Sequence, residues 1–357
     1  TNTHFNNISG QIIPVNNGLL VYIANRNFKE DLMRLRTLPY FLLIITGLFS
    51  CDQLEKTKTI KLAHGLDVNH SVHKAMVQMG VDLKELSGGK LSLEIYPSQQ
   101  LGTERQCLEL LQIGSLDMTK VSVGVLENFA PKMKVLGLPF LFRDRAHAFK
   151  VLDGPVGQQL LEDGEKYWLK GLGYYDAGGR SFYTKDRPIN SPDDLDGLKI
   201  RVMESVTAID MVESLGGSPT PISWGELYTS LQQGVVDGAE NNPPSFYLSR
   251  HYEVCKYYTL DEHTVLPDVL LAGTHLWKRL SLEEKEWLTK AVEKSIAYQR
   301  KLWLQSEEEA LKAVQEAGVK IIRPDKSLFS ERIKGNYEQY SENEELYRLI
   351  QEIQETQ

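Results

Sequence analysis

The chain has 357 residues, a formal net charge of -8 and 25% charged residues. That length accommodates two ordinary domains, and an acidic balance without a dense Lys/Arg block argues against nucleic acid as a partner. Three scattered cysteines, Cys51, Cys107 and Cys255, are too few for a disulfide scaffold or a structural zinc site.

Residues 1–32 show no helical or strand period, and they are expected to be a non-native segment upstream of a true start at Met33. Arg34 and Arg36 then precede an apolar run from Leu38 to Phe49. This run falls short of the roughly 20 apolar residues a membrane-spanning helix needs. It has the basic start and short apolar centre of a secretory signal, expected over 33–50. Leu48-Phe-Ser-Cys51 resembles a lipoprotein processing site, which implies cleavage before Cys51 and lipid on its sulfur. Residues 51–58 are polar and read as a tether. The alternative is a buried apolar helix with a chance cysteine.

Beyond the tether, strand and helix signals alternate. Strands are expected over 59–65, 91–97 and 116–123, and helices over 72–86, 103–114 and 146–161. A strand signal over 171–184 leads into a second module, with a strand over 198–203 and helices over 208–215 and 224–233. Ser281-Leu-Glu-Glu284 is a capping box. Helical character follows to Gly318, about 55 Å at 1.5 Å per residue. A helix longer than one domain is wide is expected to brace both, straight or kinked near its middle. The class is α/β.

Enzyme signatures are missing. There is no Gly-x-Ser-x-Gly elbow, P-loop or Gly-x-Gly-x-x-Gly. His70 and His73 lie three apart, but zinc takes three or four protein ligands, so neither metal nor cofactor is expected. Cys107 and Cys255 read as small core residues. What stands out is a set of polar groups at strand ends: Arg180, Arg201, Trp224 and the run Asp237-Gly-Ala-Glu-Asn-Asn-Pro-Pro244. Open α/β sheets bind ligands beyond the carboxyl ends of their strands. A guanidinium presents two parallel donors to a carboxylate and keeps its proton. In the run Leu198-Lys-Ile-Arg-Val202, alternation puts Arg201 on the face opposite Leu198, Ile200 and Val202. Spacing alone leaves each arginine open between a cleft cation and an ordinary ion pair.

These stretches resemble the DctP-type solute-binding proteins of tripartite ATP-independent periplasmic (TRAP) transporters, over about 59–320. The resemblance rests on Tyr96-Pro-Ser-Gln-Gln-Leu-Gly-Thr-Glu104, Gly114-Ser-Leu-Asp-Met118, Leu138-Pro-Phe-Leu-Phe142, Asp194-Leu-Asp-Gly-Leu-Lys-Ile-Arg201 and Glu226-Leu-Tyr-Thr-Ser-Leu-Gln-Gln-Gly-Val-Val-Asp-Gly-Ala-Glu-Asn241, in that order. It implies a two-domain periplasmic binding protein fold with hinge strands and a long domain-bridging C-terminal helix. Domain I is expected over 59–178 plus 268–306, and domain II over 179–267 plus 307–357.

The resemblance assigns the ligand carboxylate to Arg201. Arg180 and Asn241 are implied as its neighbours, Trp224 as a flanking wall, and Glu104 as a border residue. Where sialic-acid members carry Glu and Arg, this chain has Ser122 and Val125. Asn69-His-Ser-Val-His-Lys74, Glu240-Asn-Asn-Pro-Pro244 and Asp261-Glu-His263 are similar to the subgroup that takes hexuronates, so His73, Glu104 and Asn242 are expected to meet hydroxyls. C4-dicarboxylates, other organic acids and a sugar-acid enzyme on the same fold stay open. The implied partners are a small and a large permease subunit, and the implied state is a lipid-anchored monomer at the periplasmic face of the inner membrane.

Overall fold

The computed structural model describes residues 10–15, 19–24 and 57–357. Residues 1–56 and 57–357 form separate compact units. In the first, β1 (Gly10–Val15) and β2 (Leu19–Ala24) pair as an antiparallel hairpin. Met33, the apolar run and Cys51 lie outside the described residues.

The second unit is built on two sheets. In the first, β3 (Lys58–Ala63) sits between β4 (Leu91–Tyr96) and β5 (Met118–Ser122), parallel to both. Connections through α1 (Ser71–Leu86) and α2 (Glu104–Gln112) allow the parallel pairing. Next to β5 run β12 (Asp268–Gly273) and then β6 (Leu169–Tyr175), with β12 antiparallel to both neighbours. The second sheet has the order β13-β11-β7-β10-β8-β9. Its members are β7 (Gly179–Thr184), β8 (Lys199–Val202), β9 (Ser218–Pro221), β10 (Gly238–Asn241), β11 (Tyr257–Val265) and β13 (Lys320–Ile322).

The chain crosses between sheets where β6 passes into β7 and where β11 passes into β12. The expected single strand over 171–184 is therefore two strands in two sheets. The break falls at Asp176-Ala-Gly178, and Gly178 has φ +63, a conformation that favours glycine. The expected helix over 146–161 is likewise two, α4 (Arg145–Asp153) and α5 (Pro155–Asp163). Pro155 has no N–H to continue α4 and holds Gly154 extended, at ψ -173.

The bracing helix is α10 (Leu282–Glu316), 35 residues long and opened by the Ser281 capping box. Its first half buries Leu288, Ala291 and Val292 with Met76 and Met79 of α1. Near its far end Val314 joins Tyr183, Phe246 and Tyr258 in the core of the second sheet. Between these anchors it grips the first crossing. Gln299, fully buried, accepts from the Asp176 N–H (2.9 Å) and donates to the Asp176 carbonyl (2.8 Å). Ser295 meets the Tyr175 hydroxyl at 2.6 Å. Its last helix, α12 (Glu344–Glu355), returns to pack Leu346, Leu349, Ile350 and Ile353 against Leu136 and Val135 beside the first sheet. Among the described residues no helix is long and apolar enough to cross a membrane.

Candidate functional site

A cleft with about 780 Å³ of atom-free space, mouth included, opens between the two sheets, within the range of small-molecule sites. The first-sheet side contributes Gly65, His70, Gln99, Glu104, Lys120 and Asp268. The second contributes Arg180, Arg201, Trp224, Asn241 and Asn242, and α10 contributes Trp303. The two sides touch at Gly225. A side-chain carbon there would lie 2.2 Å from Gln99 Oε1, so any larger residue would have to displace the Gln99 amide. Gln99 and the preceding Ser98 both hold positive φ, +59 and +52, in the loop after β4. Such strain concentrates where a loop serves a ligand site.

Arg201 is the cation that most distinguishes this cleft. It is 1% exposed, on β8 between β9 and β10. Its neighbours Ile200 and Val202 face the core with Phe182 and Leu195, as the alternation predicted. The guanidinium donates from Nε to the Ile222 carbonyl (2.8 Å) and lies 5.8 Å from the Trp224 ring. Nη1 is buried and has no protein acceptor. Among the described residues no carboxylate pairs with it. Burial is the main force pulling its pKa down, and Arg180 nearby adds to it, against Tyr183 and Glu240. A guanidinium nevertheless stays protonated.

Arg180 is buried too, but already neutralised. It forms a two-pronged ion pair with Glu240, from Nε to Oε2 and from Nη2 to Oε1 at 2.8 Å. Nη2 also reaches the Glu240 carbonyl (2.9 Å), and Nη1 the Asn241 Oδ1 (3.0 Å). Four of its five donors are thereby used, leaving one hydrogen on Nη1. Behind Glu240 lies His263, 3.6 Å away, an ion-pair contact too long for a hydrogen bond. His263 Nδ1 meets Asp261 Oδ2 at 2.6 Å. Burial pushes the Glu240 carboxyl up, yet Arg180 and His263 outweigh it and hold it down to about 2. Burial likewise pushes His263 down, and Asp261 with Glu240 lifts it to about 9.

On the opposite wall Lys120, 3% exposed, bridges Asp268 (2.9 Å) and Glu104 (3.1 Å). Glu104 also accepts from the Ser122 N–H at 3.1 Å. Asn241 Oδ1 is taken by Arg180 and by the Asn242 N–H (2.8 Å), which leaves its amide N–H₂ for a ligand. Asn242 caps α8 (Pro243–Leu248) by accepting from the Ser245 N–H at 2.8 Å.

Residues 62–343 match the sequence model of the family described as bacterial extracellular solute-binding protein, family 7, DctP. The chain belongs to that family. It is a DctP-type solute-binding protein of the TRAP class. Similar solved structures include a TRAP periplasmic solute-binding protein from Bradyrhizobium sp. in complex with α/β-D-galacturonate. It is 41% identical, with a TM-score of 0.82, over 84% of this chain and 100% of that one. Another, from Roseobacter denitrificans with bound β-D-glucuronate, is 33% identical with a TM-score of 0.82, over 84% and 100% of the two chains. Among curated relatives, the 2,3-diketo-L-gulonate-binding periplasmic protein YiaO of Escherichia coli is 31% identical, over 84% of this chain and 92% of the relative.

In this solute-binding protein Arg201, Arg180, Asn241, Asn242, Trp224 and Glu104 line one cleft. His73 is not among the lining residues. It sits on the first turn of α1 and contacts His64 Nε2 through Nδ1 at 3.0 Å. The histidine at the cleft is His70, the N-cap of α1. An N-cap side chain turns back over the helix start to accept from a free N–H there, as His70 does from Val72. Sequence reasoning also passed over Gln99, Lys120, Asp268 and Trp303. Among the described residues no group of three His, Cys, Asp or Glu could hold a metal. Cys107 and Cys255 are free and buried.

Proposed function

We propose that this solute-binding protein captures a hexuronate such as galacturonate or glucuronate and delivers it to the permease subunits of its transporter. The carrying observation is Arg201: a buried guanidinium without a carboxylate partner, in a cleft otherwise neutralised by internal ion pairs. A ligand carboxylate supplies the missing charge. The spare Nη1 hydrogen of Arg180 and the amide of Asn241 support the same oxygens, with Trp224 as a flat wall. Glu104 and Asn242 meet hydroxyls. The hexuronates named for the neighbours from Bradyrhizobium and Roseobacter favour sugar acids, and the diketogulonate of the Escherichia coli relative favours a second reading, a keto sugar acid.

Capture works by closure, because a ligand shifts the open–closed balance only through contacts unique to the closed form. The moving bodies are domain I (59–178 plus 268–306) and domain II (179–267 plus 307–357), except that α12 within the last stretch moves with domain I, where its apolar face packs. The reading includes no catalysis, a monomer, and a lipid anchor at Cys51 facing the periplasm. Radiolabelled fatty acid should enter the native protein and not a Cys51→Ala variant; label in both would remove the anchor from this account.

A thermal-shift screen tests the ligand. A ligand at a hundred times its dissociation constant stabilises the folded form by about 2.7 kcal/mol. D-galacturonate or D-glucuronate should stabilise, and D-galactose should not. Stabilisation only by sugars without a carboxylate would overturn the reading.

A further inference from the structure

Three N–H groups on cleft-lining residues are buried without a protein acceptor: Nη1 of Arg201, Nε2 of His70 and Nε1 of Trp303. They come from three pieces of the fold, namely β8, the start of α1 and the middle of α10. The last two are not charged groups awaiting a counterion. Trp303 is fully buried and its indole nitrogen can only donate. His70 is 2% exposed, and its Nδ1 accepts from the Val72 N–H at 3.3 Å. That bond places the imidazole proton on Nε2. Burial, with Lys120 nearby, lowers its pKa to about 3, so the ring is neutral in any ordinary buffer. The two rings lie 5.8 Å apart, so the donors form one aromatic pair.

Native proteins pair nearly all buried donors, so each exception asks for a partner. One orphan at a packing defect means little. Three on residues that line one cleft call for a ligand with several acceptor oxygens. A carboxylate on Arg201 accounts for one.

We propose that Trp303 and His70 are specificity-determining residues, a fixed donor pair that reads oxygens of the ligand other than its carboxylate. The inference rests on the sugar-acid reading above and deepens it. It divides recognition in two: Arg201 selects an acid, and the pair selects a polyhydroxylated one. It also gives α10 a role beyond bracing. Trp303 lies between the two anchored stretches of that helix, and a side-chain carbon on Gly178 at the first crossing would lie 3.0 Å from its Nε1. The donor therefore sits against the segment that joins the sheets, where the ligand and the closing movement meet.

The test is calorimetric titration of the full chain with D-galacturonate and a series of analogues each lacking one hydroxyl. Trp303→Phe keeps an aromatic ring, though a smaller one, and removes the donor. His70→Asn keeps a helix-capping acceptor and removes the imidazole. Each variant should weaken galacturonate binding about tenfold or more, since the ligand oxygen loses its partner in a dry site. For one hydroxyl per donor the losses should not multiply: deleting it should weaken the wild type strongly and the matching variant little. Variants that bind like the wild type, or losses that multiply at every hydroxyl, would overturn the assignment. If Trp303→Phe does not fold, His70→Asn and the analogue series decide it. Failure of the sugar-acid reading looks different: the wild type binds no uronate, or Arg201→Ala binds as well as it does.

Discussion

Arg180 and Arg201 sit on strands of the same sheet, are both buried, and both line the same cleft. Their surroundings are opposite. Arg180 is locked into Glu240, with His263 and Asp261 behind it, a buried row of alternating charge. Arg201 has a backbone carbonyl, a tryptophan face and an unused Nη1. The first arrangement completes itself inside the protein. The second is completed only from outside. Burial of an arginine is therefore no sign of function by itself; what tells is whether the fold has already supplied its counterion.

The largest effect that would break or sharpen this contrast is on stability. Arg180→Met leaves Glu240 buried without its main partner and should cost about 3–5 kcal/mol. Chemical denaturation would measure it. Pairing Arg180→Met with Glu240→Gln should recover part of that loss, because the stranded charge goes too. A single variant as stable as the wild type would mean that the row does not hold the second sheet together.

The next largest effect is on pH dependence. His263 has a folded pKa of about 9, above the ordinary 6.5, so it binds its proton more tightly when folded. Its stabilisation is full below about pH 6.5 and is lost as pH rises through about 9. His64, His70 and His251 run the other way. Burial is the main cause for each and lowers all three to about 3. Their stabilising contribution is full above about pH 6.5 and is lost as pH falls toward 3. Melting temperature without ligand should therefore peak near neutral pH and decline on both sides. Uronate affinity should stay nearly flat from about pH 5 to 8, because Arg201 and the ligand carboxylate keep their charges there. Affinity that followed the titration of a histidine would place a protonated ring in the binding step.

The smallest expected effect is the counterpart of the first. Arg201→Met removes an unpaired desolvated cation, so the ligand-free protein should lose less than about 1 kcal/mol, or gain stability. A loss as large as that of Arg180→Met would erase the distinction between the two arginines.

Much of the fold was legible because its signals are local. The Ser281 capping box and apolar spacing gave the long helix, and alternation gave the orientation of Arg201. The misread boundaries are those where the deciding contact is distant. Nothing in the run 171–184 says that two sheets part at Asp176, a point held by Gln299 on a helix far along the chain. The site was legible in its residue types but not in its pairing. That Glu240 belongs to Arg180, and that nothing belongs to Arg201, depends on the register of β7 with β10. His73, expected to meet hydroxyls, is not among the lining residues; the histidine that lines the cleft is His70, at the N-cap of α1. Trp303 had no sequence signal, since a tryptophan in an amphipathic helix reads as core.

The most direct test of the central claim is calorimetric titration of D-galacturonate and D-glucuronate into the wild type and Arg201→Ala. The account predicts that at least one uronate binds the wild type, and that the substitution weakens it at least about a hundredfold, two steps of 1.4 kcal/mol, with the fold intact. Equal affinity in the two proteins would contradict it.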